Sequence, residues 1–171
     1  MDKELARRAG AGDREAFRTL IDRHYAFIHA TAWKWTGNKA DAEDAAQDVC
    51  IRLASVLSQF RGDAAFRTWL YALVLNTVRD QARKRARDVR RDQQADWVNQ
   101  EEASDDERLE ALWQATLNLS PRQRDAVLLV YSEGLDHATT GKILGCGEST
   151  IAWHLHAARK RLRALLGLNA A

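Results

Sequence analysis

The residues best suited to chemistry lie between Gln59 and Arg91. Gln59, Phe60, Arg61, Gly62 and Asp63 set an amide, an aromatic ring, a guanidinium, a flexible residue and a carboxylate side by side. Such a loop can stack on an unpaired nucleic-acid base and hydrogen-bond its edge. Asp63 has a second use open to it, as the N-cap of the helix that follows. Further on, Asn76, Asp80, Arg83 and Arg87 recur at i, i+4, i+7 and i+11, which lines amide, carboxylate and guanidinium groups along one side of a helix. From Arg79 to Arg91 six Arg and one Lys oppose Asp80 and Asp88, a local balance of +5. Charge at that density attracts phosphates, and Arg79, Arg83, Lys84, Arg85 and Arg87 are the candidate ligands. A solvated basic face is the plainer reading of a cation run taken alone; the loop before it favours nucleic acid.

A second constellation stands near the C-terminus. After the turn Gly145-Cys146-Gly147, the last helix offers Ser149, Thr150, Trp153, His154 and His156, followed by Arg159, Lys160, Arg161 and Arg163. Two helices joined by a tight glycine-containing turn form a helix-turn-helix, whose second helix enters the major groove by its N-terminal residues. An amphipathic hairpin without DNA contact is the alternative. His154 and His156, two apart, diverge on a helix and do not form a joint metal site. Cys50 and Cys146 are too few and too distant for a disulfide framework and read as buried thiols. With no Walker loop, nucleophile-base pair or metal-ligand cluster, no catalytic residue, metal or cofactor is expected.

The elements that must position these groups are helical. A single Pro, abundant Ala, Leu and Arg, 46% hydrophobic and 29% charged residues describe an all-α protein with one or two small domains. No run approaches a membrane span and the first residues lack the apolar core of a signal peptide, so a cytoplasmic protein without membrane insertion is expected. Asp2 to Ala9 form a short helix, and Asp13 caps a longer one through Trp35, with Phe17, Leu20, Ile21, His24 and Ile28 on its core face. Trp33 and Trp35 point to different sides, one inward and one toward a partner. Gly37 and Asn38 break the chain and Asp41 reopens it, with Glu43 and Asp44 complementing the helix dipole. Val49, Ile51, Leu53, Val56, Leu57 and Phe60 are the apolar side of that helix. Phe66, Trp69, Leu70, Leu73 and Thr77 are the buried stripe of the long helix. Net charge is only +2, yet residues 92–110 hold eight acids against Arg108 alone. This polar stretch reads as a flexible acidic linker, with Trp97 as a docking point. Leu109, Leu112, Trp113, Thr116 and Leu117 open the second domain. Ser120, Pro121 and Gln123 then start a helix through Tyr131, and Asp136 caps a short one to Leu144.

The string DAEDAAQDV at Asp41 to Val49, F-R-G-D at Phe60 to Asp63, F-x-T-W-L at Phe66 to Leu70 and N-x-x-x-D at Asn76 to Asp80 resemble region 2 of bacterial sigma factors. L-S-P-R-Q-R at Leu119 to Arg124, I-L-G-C at Ile143 to Cys146 and A-R-x-x-L at Ala158 to Leu162 resemble region 4. The resemblance is to the short extracytoplasmic-function (ECF) group of the sigma-70 family and covers about Asp13 to Leu166. It implies a region 2 helical bundle at 1–91, a linker at 92–106 and a region 4 helix-turn-helix domain at 107–171. It further implies core RNA polymerase as partner, through the beta-prime clamp and the beta flap, together with promoter DNA and an anti-sigma factor. Asp41, Glu43, Asp44, Gln47 and Asp48 are then in or beside the polymerase contact. The Gln59 to Asp63 loop captures an unstacked minus-10 base, with Asn76 ordering the loop or touching the base. Ser149, Thr150, Trp153, His154, His156, Arg159 and Lys160 meet the minus-35 element.

Two departures stand out. His137 to Gly141 replace a Tyr-Glu-Glu-Ile-Ala run, with poorer helix propensity. Ala152, Trp153, His154 and Ala157 replace residues that are commonly cationic or small, so phosphate-binding charge is reduced, and Trp153 meets either a thymine methyl or a protein. These leave two rivals to a promoter-recognition subunit. One is a sigma-like decoy that binds an anti-sigma factor without DNA; the other is a helix-turn-helix regulator acting without polymerase.

Overall fold

The computed structural model describes residues 2–91, 112 and 114–167, with 88–91 given as backbone. The chain divides into two compact units, Met1–Asp96 and Trp97–Ala171. Among the described residues every regular element is helical. The expected linker at 92–106 lies outside them, as do Leu109 and Trp113.

The first unit contains α1 (Asp2–Gly10), α2 (Arg14–Thr36), α3 (Lys39–Val56) and α4 (Phe66–Arg91), with one 3-10 turn at Leu57–Gln59. Asp13 caps α2, its Oδ1 accepting the backbone N–H groups of Glu15 and Ala16 at 3.1 and 3.0 Å. Gly37 closes the same helix at φ 65°, a left-handed conformation that glycine adopts without the steric cost of a Cβ. Helix α3 starts earlier than its acids suggest. Asn38 Oδ1 accepts the N–H of Asp41 at 3.1 Å, so Asn38 is the cap and Asp41 alone among the acids lies in the first turn. Glu43 and Asp44 sit past the turn where the helix dipole acts strongly. Nor does Asp63 cap α4. That helix begins at Phe66, and the first carbonyl to accept is that of Ala65, from Trp69 N–H at 3.2 Å.

Leu20 and Ile28 of α2, Val49 and Leu53 of α3, and Leu70, Val74 and Leu75 of α4 are closed to solvent. Each such side chain contributes about 1.5–3 kcal/mol relative to exposure. The buried face of α4 is wider than the expected stripe. Tyr71, Val74, Leu75 and Val78 join Phe66, Leu70 and Thr77, while Trp69 and Leu73 are only half-buried. The reason is packing on two neighbours, α2 and α3, which together cover more than one stripe. Trp35 is buried and Trp33 exposed, as their divergent directions require. Ile51, expected among the apolar side of α3, is instead 70% exposed.

The second unit contains a helical segment at 114–117, then α5 (Pro121–Val127), α6 (His137–Leu144) and α7 (Glu148–Leu165). Of the expected stripe Thr116 is buried, but Leu112 and Leu117 are exposed, and Ala115 and Leu119 carry the burial in their place. Ser120 N–H donates to Gln123 Oε1 at 3.3 Å, the capping-box contact read from the sequence. The expected single helix to Tyr131 widens after Val127 into a π turn at Leu128–Ser132, where Glu133 N–H reaches back to the Leu128 carbonyl at 3.0 Å. Asp136 caps α6, accepting Thr139 N–H at 2.6 Å. Arg122 Nη1 donates at 2.7 Å to the Leu144 carbonyl, placing a cation at the C-terminal end of α6. Ile151, Leu155 and Ala158 of α7 are buried, as are Leu129, Thr140 and Leu144.

The turn between α6 and α7 explains one departure noted above. A Cβ on Gly141 would stand 2.6 Å from the Cys146 carbonyl oxygen, and Cys146 N–H donates to the Gly141 carbonyl at 2.9 Å. Glycine is what lets the backbone fold back this closely. Gly145, at φ 68°, makes the reversal.

Candidate nucleic-acid and partner surfaces

The 59–63 loop leaves the 3-10 turn and runs to α4. Gln59, Arg61 and Asp63 are exposed; Phe60 is half-buried, its ring 5.4 Å from that of Phe66 and 5.5 Å from that of Trp69. The three rings form one cluster, which His24 joins at 5.1 Å from Phe66. Phe60 is thus a wall of the loop rather than an isolated plate. The opposite side of the loop is held by α1. Lys3 Nζ donates to the Gly62 carbonyl at 2.5 Å, and Gly62 turns the chain at φ 77°. Lys3 and the Gly10 approach to Leu57 and Ser58 were invisible in the sequence, because they couple positions about fifty or more residues apart. Asn76 is exposed, and a rise of about 1.5 Å per residue puts it roughly 15 Å along the axis from Phe66, beside the middle of α4.

Two of the α4 cations, Arg83 and Arg85, pair with acids of the same unit. Asp80 receives Arg52 Nη1 and Arg83 Nη2, each at 2.8 Å, and Arg85 pairs with Asp41. The Arg52 guanidinium first, and then Arg83, hold the Asp80 carboxyl below the usual carboxylate range, so it stays anionic. Gln81 Nε2 donates to Asp48 Oδ2 at 2.8 Å, and Arg87 Nε to the Arg83 carbonyl at 3.3 Å. Arg83, Lys84, Arg85 and Arg87 remain exposed, while Arg79 is half-buried.

These pairings split the acidic set. Asp41 and Asp48, seven apart, face α4; Glu43, Asp44 and Gln47 face solvent. Ile51 continues the outward line at i+4 from Gln47 and i+7 from Asp44, and so gives an acidic face an apolar anchor. Its spacing was the available signal, overridden by its hydrophobicity.

On α7, Ser149, Thr150, Trp153, His156, Arg159 and Lys160 are exposed, Trp153 at 62%. His154 is half-buried, with its ring 5.1 Å from that of Trp153, and so does not share their outer face. His156, Arg159, Lys160 and Arg163 surround a shallow notch of about 280 Å³. Cys50 and Cys146, read as buried thiols, are both half-buried, and burial pushes the Cys50 thiol up.

A helical bundle with a cation-rich helix, followed by a helix-turn-helix, defines a two-module nucleic-acid-binding protein. Comparison with known proteins makes this specific. Residues 20–88 match the Sigma-70 region 2 family and residues 109–162 match Sigma-70, region 4. The ECF RNA polymerase sigma factor SigM of Mycobacterium tuberculosis is 32% identical over 97% of this chain and 85% of its own length. RNA polymerase sigma factor NccH of Alcaligenes xylosoxydans xylosoxydans is 30% identical, with 97% and 95% covered. Among solved structures, the sigma factor RpoE of Bartonella quintana, crystallised with the anti-sigma factor NepR, aligns with a TM-score of 0.74 at 25% identity, covering 90% of this chain and 98% of its own. The chain belongs to the sigma-70 family, as a sigma factor of the ECF group.

Proposed function

We propose that this protein binds core RNA polymerase, directs it to promoters by reading minus-35 and minus-10 elements, and helps open the duplex. The observation that carries the reading is the two-sided α3–α4 pair. Its outer line of Glu43, Asp44, Gln47 and Ile51 offers a polymerase surface, and its other helix carries the phosphate-binding cations from the loop outward. In this mechanism α7 docks the upstream element as duplex through Ser149, Thr150, Trp153 and His156. The first unit, seated on the beta-prime clamp, then accepts an unstacked base at the Gln59 to Asp63 loop. Its aromatic wall of Phe60, Phe66 and Trp69 stiffens that loop. Unstacking costs a few kcal/mol, which stacking and edge contacts at the loop must offset. Arg83, Lys84, Arg85 and Arg87 hold backbone phosphates. No step calls for catalytic chemistry by this chain. Its place of action is the cytoplasm, and an anti-sigma factor holds it inactive, as NepR accompanies the Bartonella quintana protein. Domain limits of 1–91, 92–106 and 107–171 belong to the same proposal.

The test is run-off transcription with purified core polymerase, this protein and a library of randomised promoters. Paired motifs near minus-35 and minus-10 enriched in the transcripts are the expected result. A folded protein that neither binds core polymerase nor initiates from any template would overturn the reading in favour of a decoy. The exposed cations of α4 argue against the decoy, which needs none.

A further inference from the structure

Tyr131, on the π turn, accepts a hydrogen bond from Arg159 Nη2 at 2.6 Å. Nothing in the motifs above assigns this tyrosine a role, and it is more than half exposed. The bond has a directional consequence. A hydroxyl that accepts through its oxygen keeps its own proton to give, and a guanidinium with five donors keeps the rest. Both sets of donors are left over for an acceptor placed beside the Tyr131–Arg159 pair. There the notch is lined by His156, Arg159, Lys160 and Arg163, every one a His, Lys or Arg. A ring of such groups around one hollow favours an anion. Arg159 lies three residues beyond His156, one turn further along the outer side of α7, where a helix lying in a major groove passes the flanking backbone.

We propose that Tyr131 and Arg159 form a clamp for one backbone phosphate of duplex DNA. Arg159 supplies the charge. Tyr131 is a positioning residue that fixes the guanidinium, and it adds its own O–H to the phosphate. Two groups from different helices then set the register of α7 on the duplex, which partly offsets the cations lacking at Ala152 and Ala157. The inference rests on the reading of α7 as the duplex-docking helix.

The test uses the full chain and a labelled duplex carrying the upstream element selected in transcription, with anisotropy titrations at stepped NaCl. Arg159→Met is expected to weaken binding and to flatten the salt slope by about one unit. Tyr131→Phe keeps the ring and removes only the hydroxyl. It is expected to weaken binding about five-fold with the slope nearly unchanged, and to add less than about two-fold in the Arg159→Met background. A neutral methylphosphonate scanned along the backbone should identify one position that weakens the wild-type protein but not the double variant. Equal affinity of Tyr131→Phe and wild type, or a tyrosine effect undiminished without Arg159, would overturn the clamp while leaving the function standing. A folded wild-type protein that binds no duplex at all would remove the reading of α7 and the clamp together.

Discussion

On α4, Arg83 closes on Asp80 together with Arg52 of α3, and Arg85 closes on Asp41 of α3, whereas on α7 Arg159 donates to the hydroxyl of Tyr131 and shares a notch with other basic groups. The first arrangement holds guanidinium groups in place at the expense of their field. Before a phosphate can take Arg83 or Arg85 in full, an acid must release it. The second keeps the field and supplies the order through a hydroxyl. Under the proposed function, a helix that follows single-stranded DNA only after docking gains from muted charge, because free cations would bind any duplex. A helix that meets duplex first gains from cations already available.

The comparison can be broken most severely at Gly141. Gly141→Ala puts a Cβ 2.6 Å from the Cys146 carbonyl oxygen, which must move. The expected cost is about 2–3 kcal/mol in the second unit, read as a lowered unfolding transition together with weakened upstream-duplex binding. Unfolding of the first unit should be unaffected. Next in size, Ile51→Glu changes an exposed side chain and leaves the α4 pairings intact. Core polymerase binding and transcription are expected to fall more than about ten-fold while the protein's own DNA affinity and stability hold. Retained polymerase binding would remove Ile51 from the partner surface.

Smaller effects sharpen the contrast. Asp80→Asn releases Arg52 and Arg83 and makes α4 more like α7. Non-specific duplex affinity should rise a few-fold, with a salt slope steeper by up to about one unit, measured by the same titrations. The smallest effect is on pH. A carboxyl whose pKa is depressed by folding contributes stability above the usual carboxylate range, and that contribution is lost as pH falls through the lowered value. Asp80 is lowered by Arg52 and then Arg83, Asp13 by the Ala16 N–H ahead of Arg8, and Asp136 by the Thr139 N–H. In both units these contributions are therefore expected to fade as pH falls below about 4. In thermal scans across that range, Asp80→Asn should diminish the loss in the first unit alone.

Much of this was legible in the chain itself. The caps at Asp13 and Asp136, the capping-box contact of Ser120 and Gln123 and the glycine turn at Gly145 are local signals, because each satisfies backbone groups within a few residues of itself. They defined an all-helical protein and located its two chemical stretches, the loop with its basic helix and the helix-turn-helix. Periodicity failed where an element has more than one neighbour. Helix α4 packs on both α2 and α3, so its buried face could not be drawn as one stripe, and Ile51 points outward despite its hydrophobicity.

What the sequence determined, then, was the set of charges, caps and turns, since these follow from residue type and short spacing. Only the tertiary structure decided which charges meet. Asp41 finds Arg85, Arg52 finds Asp80, Lys3 finds Gly62 and Tyr131 finds Arg159 across separations of tens of residues. Coulomb and hydrogen-bond energies act over a few ångströms of space, and distance along the chain carries little of that information.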